Sequence, residues 1–231
     1  MFFFDPMYLV FAAPALLLAM FAQWKVSSAY DKYTKVPNAK NMSGVQVAQY
    51  LMRANGLNLN VSGTPGNLTD HYDPRDKTLY LSQGVANTPS VAALAIVAHE
   101  VGHAVQDAQG YAPMRLRAYL VAPANAGPWI GYIFFIIGIF INMSGLVWLG
   151  IVFFSLGLLF SLATLPVEFN ASSRALVMLR SSALVGQGEV DAAQAVLTAA
   201  ALTYVAAAAQ ALSQLLYYVF IALNMGNRRR S

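Results

Sequence analysis

The chain has 231 residues, of which 58% are hydrophobic and only 10% are charged, and its formal net charge is +4. Soluble domains carry about 25% charged residues, so this composition favours an integral membrane protein. The chain contains no cysteine, which excludes disulfide frameworks, thiolate metal ligands and cysteine nucleophiles. No basic stripe is interleaved with aromatic residues, so nucleic-acid binding is not expected and the positive charge is better explained by membrane topology.

The first apolar segment, Pro6 to Ala22, predicts a transmembrane helix over residues 6–23. A cleaved signal peptide begins with positive charge, but no Lys or Arg precedes this segment. Positive charges follow it instead, which favours a retained anchor whose N-terminus is not cytoplasmic. These charges are Lys25, Lys32, Lys35 and Lys40.

Residues 24–128 contain the most polar part of the chain and are expected to form short elements around a small sheet. Ser43 to Asn55 has an amphipathic pattern and is followed by Gly56, so it predicts a helix. Leu57 to Val61 and Thr78 to Ser82 alternate like strands, with a stretch of turn-forming residues between them.

A mostly buried helix is predicted next, over about residues 89–109. Thr88-Pro89-Ser90 offers an N-cap and a proline in the first turn, and Gly110 offers a stop. Between them, Val91 to Gln109 contains no proline and is dense in alanine, valine and leucine. This helix carries the sequence H-E-V-G-H at residues 99–103.

His99 and His103 are four residues apart, so on a helix their rings lie on one face and can bind a single cation. Glu100 is placed to take a proton from a water molecule that such a cation activates. The pattern is typical of zinc hydrolases, with Glu100 as the general base. The alternative is an ordinary helix whose buried histidines are hydrogen-bonded to groups unrelated to metal.

The 50 residues from Ala118 to Val167 carry no charge, which is too long for one membrane crossing. Asn142 to Gly145 divides them into a transmembrane hairpin over residues 129–165, with arms at about 129–141 and 146–165. The first arm is short unless it begins near Ala122, so a re-entrant or tilted arm is also possible.

A catalytic zinc site needs a third protein ligand, and the residues leave three candidates: His71, Glu168 and Glu189. Glu168 lies in segment 166–190, where a helix is predicted from Pro166 to about Leu184. A carboxylate in a first helical turn can equally serve the helix dipole, so the residues alone leave the ligand open.

The last apolar run, Ala192 to Asn227, predicts a fourth transmembrane helix over residues 192–227. Four of its polar residues fall near one face, which is expected to lie against protein. In-membrane glutamines there indicate interhelical hydrogen bonds or a substrate path. The four are Thr203, Gln210, Gln214 and Tyr217.

Three stretches carry a resemblance: H-E-V-G-H at 99–103, L-P-V-E-F-N-A-S at 165–172 and L-T-D-H-Y-D-P at 68–74. Together with the hydrophobic layout, they resemble the YugP-type family of membrane zinc metallopeptidases over nearly the whole chain. More distantly, the chain is similar to membrane proteases of the HtpX and Ste24 kind. That resemblance implies that Glu168 is the third ligand. Those distant relatives carry an aspartate where this chain has Ser172, which puts the supporting role of that aspartate in doubt.

The resemblance implies a polytopic α-helical membrane protein with a zincin-like catalytic domain, mainly α with a small β-sheet. One Zn²⁺ per chain would be held by His99, His103 and Glu168, with Glu100 as the base for peptide-bond hydrolysis. A residue that stabilises the oxyanion is also needed. The candidates are His71, Tyr72 and Arg174, although His71 could instead be a loop histidine bonded to Asp70 or Asp73.

The expected substrate is a membrane protein, its cytoplasmic tail or a peptide at the bilayer surface. Thr78 to Ser82 is the candidate edge strand for an extended substrate, unless it is paired on both sides. A zinc hydrolase of non-peptide substrates and a non-enzymatic membrane scaffold or transporter are the alternatives.

Charge near the spans predicts which side of the membrane the site faces. Eight basic residues flank the predicted catalytic segments and favour a cytoplasmic site, whereas Arg228-Arg229-Arg230 opposes it if all four segments cross. The eight are Lys25, Lys32, Lys35, Lys40, Arg115, Arg117, Arg174 and Arg180.

Overall fold

The computed structural model describes residues 6–182, 184–186 and 188–227. Helices dominate these residues, and three short strands form the sheet. In chain order the elements are α1 (Pro6–Tyr33), α2 (Gly44–Ala54), β1 (Asn60–Thr64), β2 (His71–Asp73), β3 (Thr78–Ser82), α3 (Gln83–Asn87), α4 (Val91–Ala108), α5 (Ala112–Phe140), α6 (Ser144–Ser181) and α7 (Glu189–Asn227).

Four of the described helices are long and apolar enough to cross a membrane: α1, α5, α6 and α7. Helix α5 is 29 residues long and begins at Ala112. The first hairpin arm therefore starts before Ala122 and is not short. The predicted mainly helical fold with a small sheet is therefore confirmed, and the four helices agree in length and composition with the predicted membrane class. The triple arginine at 228–230 lies outside the described residues.

The chain divides into two compact units. One, here called the hairpin unit, comprises Met1–Phe21, Arg115–Leu165 and Tyr204–Ser231. It is apolar, and its buried cluster is made of Phe135, Val147, Ile151 and Ala222. The other, here called the motif unit, comprises Ala22–Met114 and Pro166–Thr203.

The sheet of the motif unit has the order β1-β3-β2. Strand β3 pairs in parallel with β1 and antiparallel with β2. Thr78–Ser82 is therefore the central strand, and its prediction as a free edge for substrate is wrong. The predicted strand Leu57 to Val61 begins later, at Asn60. Strand β2, His71–Asp73, lies inside the stretch predicted as a turn.

The predicted motif helix is confirmed as α4, but it begins at Val91 with Ser90 as its N-cap, so Pro89 precedes the helix and does not lie in its first turn. The Ser90 side chain accepts a hydrogen bond from the Ala93 amide at 3.1 Å and so caps the helix. Beyond the C-terminus, Gly110 adopts the left-handed φ of 62° that favours glycine.

Helix α2 is also confirmed: Ser43 and Gln46 form a reciprocal capping box at its start. The buried faces of α2 and α4 share one core with the sheet.

The prediction that a new helix begins at Pro166 is wrong, because α6 runs without interruption from Ser144 to Ser181. Proline usually ends a helix in water, since it leaves one carbonyl without its amide partner. In a long apolar helix, ending the hydrogen-bonded ladder would expose several polar backbone groups, so the helix continues through the proline. Glu168 consequently lies in the interior of a 38-residue helix and not in a first turn.

Candidate metal centre

Three side chains of the motif unit converge on one point: His99 and His103 from α4 and Glu168 from α6. One ligand atom from each lies within 4.8 Å of the others. Glu168 Oε2 is 3.3 Å from His99 Nε2 and 3.5 Å from His103 Nε2. Two ligand atoms bound to one tetrahedral zinc are about 3.3–3.5 Å apart. The separations of Glu168 Oε2 from the two histidine nitrogens therefore match those expected in a zinc site.

The two histidines and the glutamate of this cluster are largely shielded from solvent. The Glu168 side chain is 2% exposed, and the two histidine rings are only slightly more accessible. Burial disfavours a charged imidazole, but the contact with Glu168 and the negative charges of Glu100 and Glu168 outweigh it, so the pKa of His103 is raised. A buried carboxylate surrounded by two imidazoles is an environment that stabilises a cation.

The close approach of α4 and α6 depends on Gly102, which lies between the two histidines. A Cβ atom added at Gly102 would be only 2.7 Å from the Ala171 carbonyl oxygen. Ala171 is fully buried and lies three residues after Glu168. A side chain at position 102 would therefore separate the helices where Glu168 meets the histidines.

Each histidine is also held at its other ring nitrogen. Gln106 Oε1 is 3.0 Å from His103 Nδ1, and Ser172 Oγ is 3.2 Å from His99 Nδ1. Hydrogen bonds at Nδ1 orient a histidine ring so that Nε2 can bind a metal. Ser172 thus occupies the supporting position that the sequence comparison put in doubt.

Glu100, the predicted base, is 8% exposed. Its Oε2 accepts a hydrogen bond of 3.0 Å from the main-chain amide of Tyr72 on β2. Burial raises the pKa of Glu100, the two neighbouring histidines oppose that shift, and the negative charges of Glu168 and Asp70 add to it. The sheet therefore fixes the carboxylate beside the cluster.

The three oxyanion candidates lie in different surroundings. His71 is exposed, stacks on Tyr80 and makes its ring hydrogen bond with the Thr69 carbonyl, 2.8 Å away, and not with Asp70 or Asp73. The Tyr72 hydroxyl donates to Asp107 at 2.7 Å. Burial and this bond raise the pKa of Tyr72.

Arg174 donates from Nε to Asn170 Oδ1 at 2.7 Å and lies over the Tyr111 ring. Among the described residues, His71 is not part of the group of possible metal ligands, which consists of His99, His103 and Glu168. The carboxylate of Glu189, the remaining ligand candidate, instead accepts main-chain hydrogen bonds from Ala39 and Gly186.

Gln106 and Asn170 are site residues that the sequence analysis missed. Gln106 is fully buried and donates to the Val167 carbonyl and to Asn170. The available signal was a single amide side chain three residues after His103, in a helix otherwise dense in alanine and valine.

Comparison with known proteins is consistent with these features. Residues 8–223 match the family described as "Putative neutral zinc metallopeptidase". The chain is 39% identical over 211 residues to the "Putative membrane protease YugP" of Bacillus subtilis (strain 168), covering 91% of this chain and 94% of that protein. No solved structure matches the chain. The predicted resemblance is confirmed: this chain belongs to the YugP-type family, whose description is "Putative neutral zinc metallopeptidase".

Proposed function

We propose that this protein is a membrane-embedded zinc endopeptidase whose metal is held by His99, His103 and Glu168, with one zinc per chain. The observation that carries the proposal is the spacing of the three ligand atoms, 3.3 and 3.5 Å from the shared Glu168 oxygen, beside a buried glutamate. The two histidines come from one helix and Glu168 from another. The ligand set is that of zinc enzymes that keep a fourth position open for chemistry.

In this mechanism Glu100 accepts a proton from the water that attacks the peptide carbonyl and delivers it to the departing amine nitrogen. The Tyr72 amide holds the Glu100 carboxylate in place for both transfers. Zinc, when bound, supplies a Lewis acid that polarises the carbonyl and makes water more acidic. The buried surroundings exclude bulk water and strengthen these charge interactions.

Peptide hydrolysis is favoured over other hydrolysis because the Bacillus relative is named "Putative membrane protease YugP" and the family is described as "Putative neutral zinc metallopeptidase". An extended peptide would lie along β2, because β3 is internal and the Tyr72 amide of β2 is bonded to Glu100. Four apolar helices suit a substrate that is itself a membrane protein or a peptide at the bilayer surface. The basic residues flanking the catalytic segments favour a cytoplasmic site.

The test compares zinc content and hydrolysis in full-length, detergent-purified protein. His99→Ala and Glu168→Ala should each lose zinc, because two remaining ligands do not complete the site. Glu100→Gln should keep about one zinc per chain and lose turnover of fluorogenic peptides and detergent-solubilised membrane proteins by at least about a hundredfold.

Glu189→Gln is the matched control, since its carboxylate binds main-chain amides away from the cluster. It should retain both zinc and turnover. Zinc retained with unchanged affinity by Glu168→Ala would refute the ligand assignment. Full turnover by Glu100→Gln would refute the proposed base.

A further inference from the structure

We propose that Gln106 is a positioning residue that fixes the His103 ring with its Nδ1 protonated, so that Nε2 is presented to the metal. The inference rests on the proposed function, because it assigns a role at the same metal centre. It is carried by a chain of hydrogen bonds that runs from Arg174 through Asn170 and Gln106 to His103.

The direction of each bond in this chain follows from what the groups can do. A guanidinium can only donate, so the atom of Asn170 that lies 2.7 Å from Arg174 Nε must be the amide oxygen. Gln106 contacts that same oxygen at 3.0 Å and the Val167 carbonyl at 2.8 Å. Both contacts require a donor, so the NH₂ group of Gln106 must point toward α6.

The oxygen of the Gln106 amide then faces His103 Nδ1 at 3.0 Å. An amide oxygen cannot donate, so Nδ1 must carry the proton. In a neutral imidazole this leaves the lone pair on Nε2, the atom 3.5 Å from Glu168 Oε2. The ring therefore has its metal-binding atom directed into the cluster before a cation arrives.

The tautomer of His99 is not fixed in this way, so the proposed role of Gln106 applies to His103 alone. Its Nδ1 contacts the hydroxyl of Ser172, and a hydroxyl can donate or accept. Ser172 therefore allows either tautomer, whereas Gln106 allows one. Gln106 also bonds the carbonyl of Val167, the residue before Glu168, so one buried side chain aligns His103 with the helix that carries the third ligand.

The test measures zinc affinity by chelator competition in the full-length protein for Gln106→Met and Gln106→Glu. Methionine has a similar volume but cannot accept the Nδ1 proton, so zinc affinity should fall about 10- to 100-fold. Glutamate restores an acceptor facing His103 and should recover most of that loss. The melting temperature of each metal-free variant is measured alongside.

A purely structural role predicts the reverse order, because buried methionine replaces the packing of glutamine better than buried glutamate does. Wild-type affinity in Gln106→Met would overturn the inference, as would weaker zinc binding by Gln106→Glu than by Gln106→Met. Gln49→Met, on the exposed face of α2, is the matched control and should bind zinc normally.

If Gln106→Met does not fold, Asn170→Ala provides the second variant. It leaves the Gln106 oxygen in place but removes one of the two acceptors that orient the amide, so zinc affinity should fall several-fold. Unchanged affinity would overturn the inference. Wild-type protein that binds zinc but cleaves no peptide would refute only the peptidase proposal, whereas wild-type protein without zinc would overturn both.

Discussion

Helix α6 is approached closely at glycine residues in both units, but with different results. In the hairpin unit, a Cβ at Gly131 of α5 would be 2.7 Å from the Gly150 carbonyl oxygen of α6. In the motif unit, a Cβ at Gly102 of α4 would be 2.7 Å from the Ala171 carbonyl oxygen of the same helix. The first contact joins apolar surfaces, whereas the second lies beside two histidines and a buried carboxylate.

The hairpin repeats its contact along the helices, since Cβ atoms at Gly127, Gly138 and Gly150 would also come within 3 Å of the opposite arm. Small residues at such interfaces allow dispersion contacts between backbones. The motif unit has one such glycine between α4 and α6 among its described residues. Because the hairpin has several such contacts, a substitution at one of them should lower stability without separating the two arms. The single contact at Gly102 instead determines the distance between Glu168 and the two histidines.

Gly102→Ala should produce the largest effect. Overpacking at the Ala171 carbonyl costs about 1–3 kcal/mol and moves Glu168 away from the histidines, so zinc affinity should fall by up to about 150-fold. Chelator competition measures this. Gly145→Ala, where a Cβ meets no atom within 4 Å, is the control. Normal zinc affinity in Gly102→Ala would show that the glycine contact between α4 and α6 does not determine the geometry of the metal centre.

Gly131→Ala should affect stability and leave the metal centre intact. The same overpacking cost of about 1–3 kcal/mol is expected at the Gly150 carbonyl, partly offset by the roughly 1 kcal/mol helix preference of alanine. Thermal unfolding in detergent should therefore occur at a lower temperature, while zinc content remains about one per chain. Zinc loss equal to that of Gly102→Ala would contradict the comparison.

Ser172→Ala should have the smallest effect, and it sharpens the contrast between polar groups in the two units. The Ser172 hydroxyl contacts His99 Nδ1, whereas the Ser161 hydroxyl bonds the Gly157 carbonyl of its own helix. Loss of one hydrogen bond costs about 1 kcal/mol, so Ser172→Ala should weaken zinc binding about fivefold. Ser161→Ala should leave zinc affinity unchanged, and equal effects in both variants would count against the assigned contact.

Elements fixed by local chemistry were predictable from the sequence. Helix α4 has its cap at Ser90 and its stop at Gly110, both within one turn of its ends, so its position followed directly. The spacing of His99 and His103 likewise depends only on helix geometry. The pairing of β3 on both sides could not be predicted, because it depends on β1 and β2 and not on its own residues.

The rest of the site depends on contacts between distant segments. Local pattern left His71, Glu168 and Glu189 open as the third ligand, and only the resemblance favoured Glu168. Gln106 was missed because its partners, Val167 and Asn170, lie 61 and 64 residues away in the sequence. The continuity of α6 through Pro166 was missed because the rule that proline ends a helix applies to helices in water.

Glu168 follows the second arm of the hairpin on the same continuous helix, 69 residues after His99. During synthesis, a chain that has produced both histidines therefore still lacks the third ligand until both hairpin arms have been made. Two histidines do not complete the ligand set of a catalytic zinc. Under the proposed function, proteolytic activity begins only after both hairpin arms have been made. The protease is therefore anchored by its hairpin before it can cleave the nascent chain or neighbouring proteins.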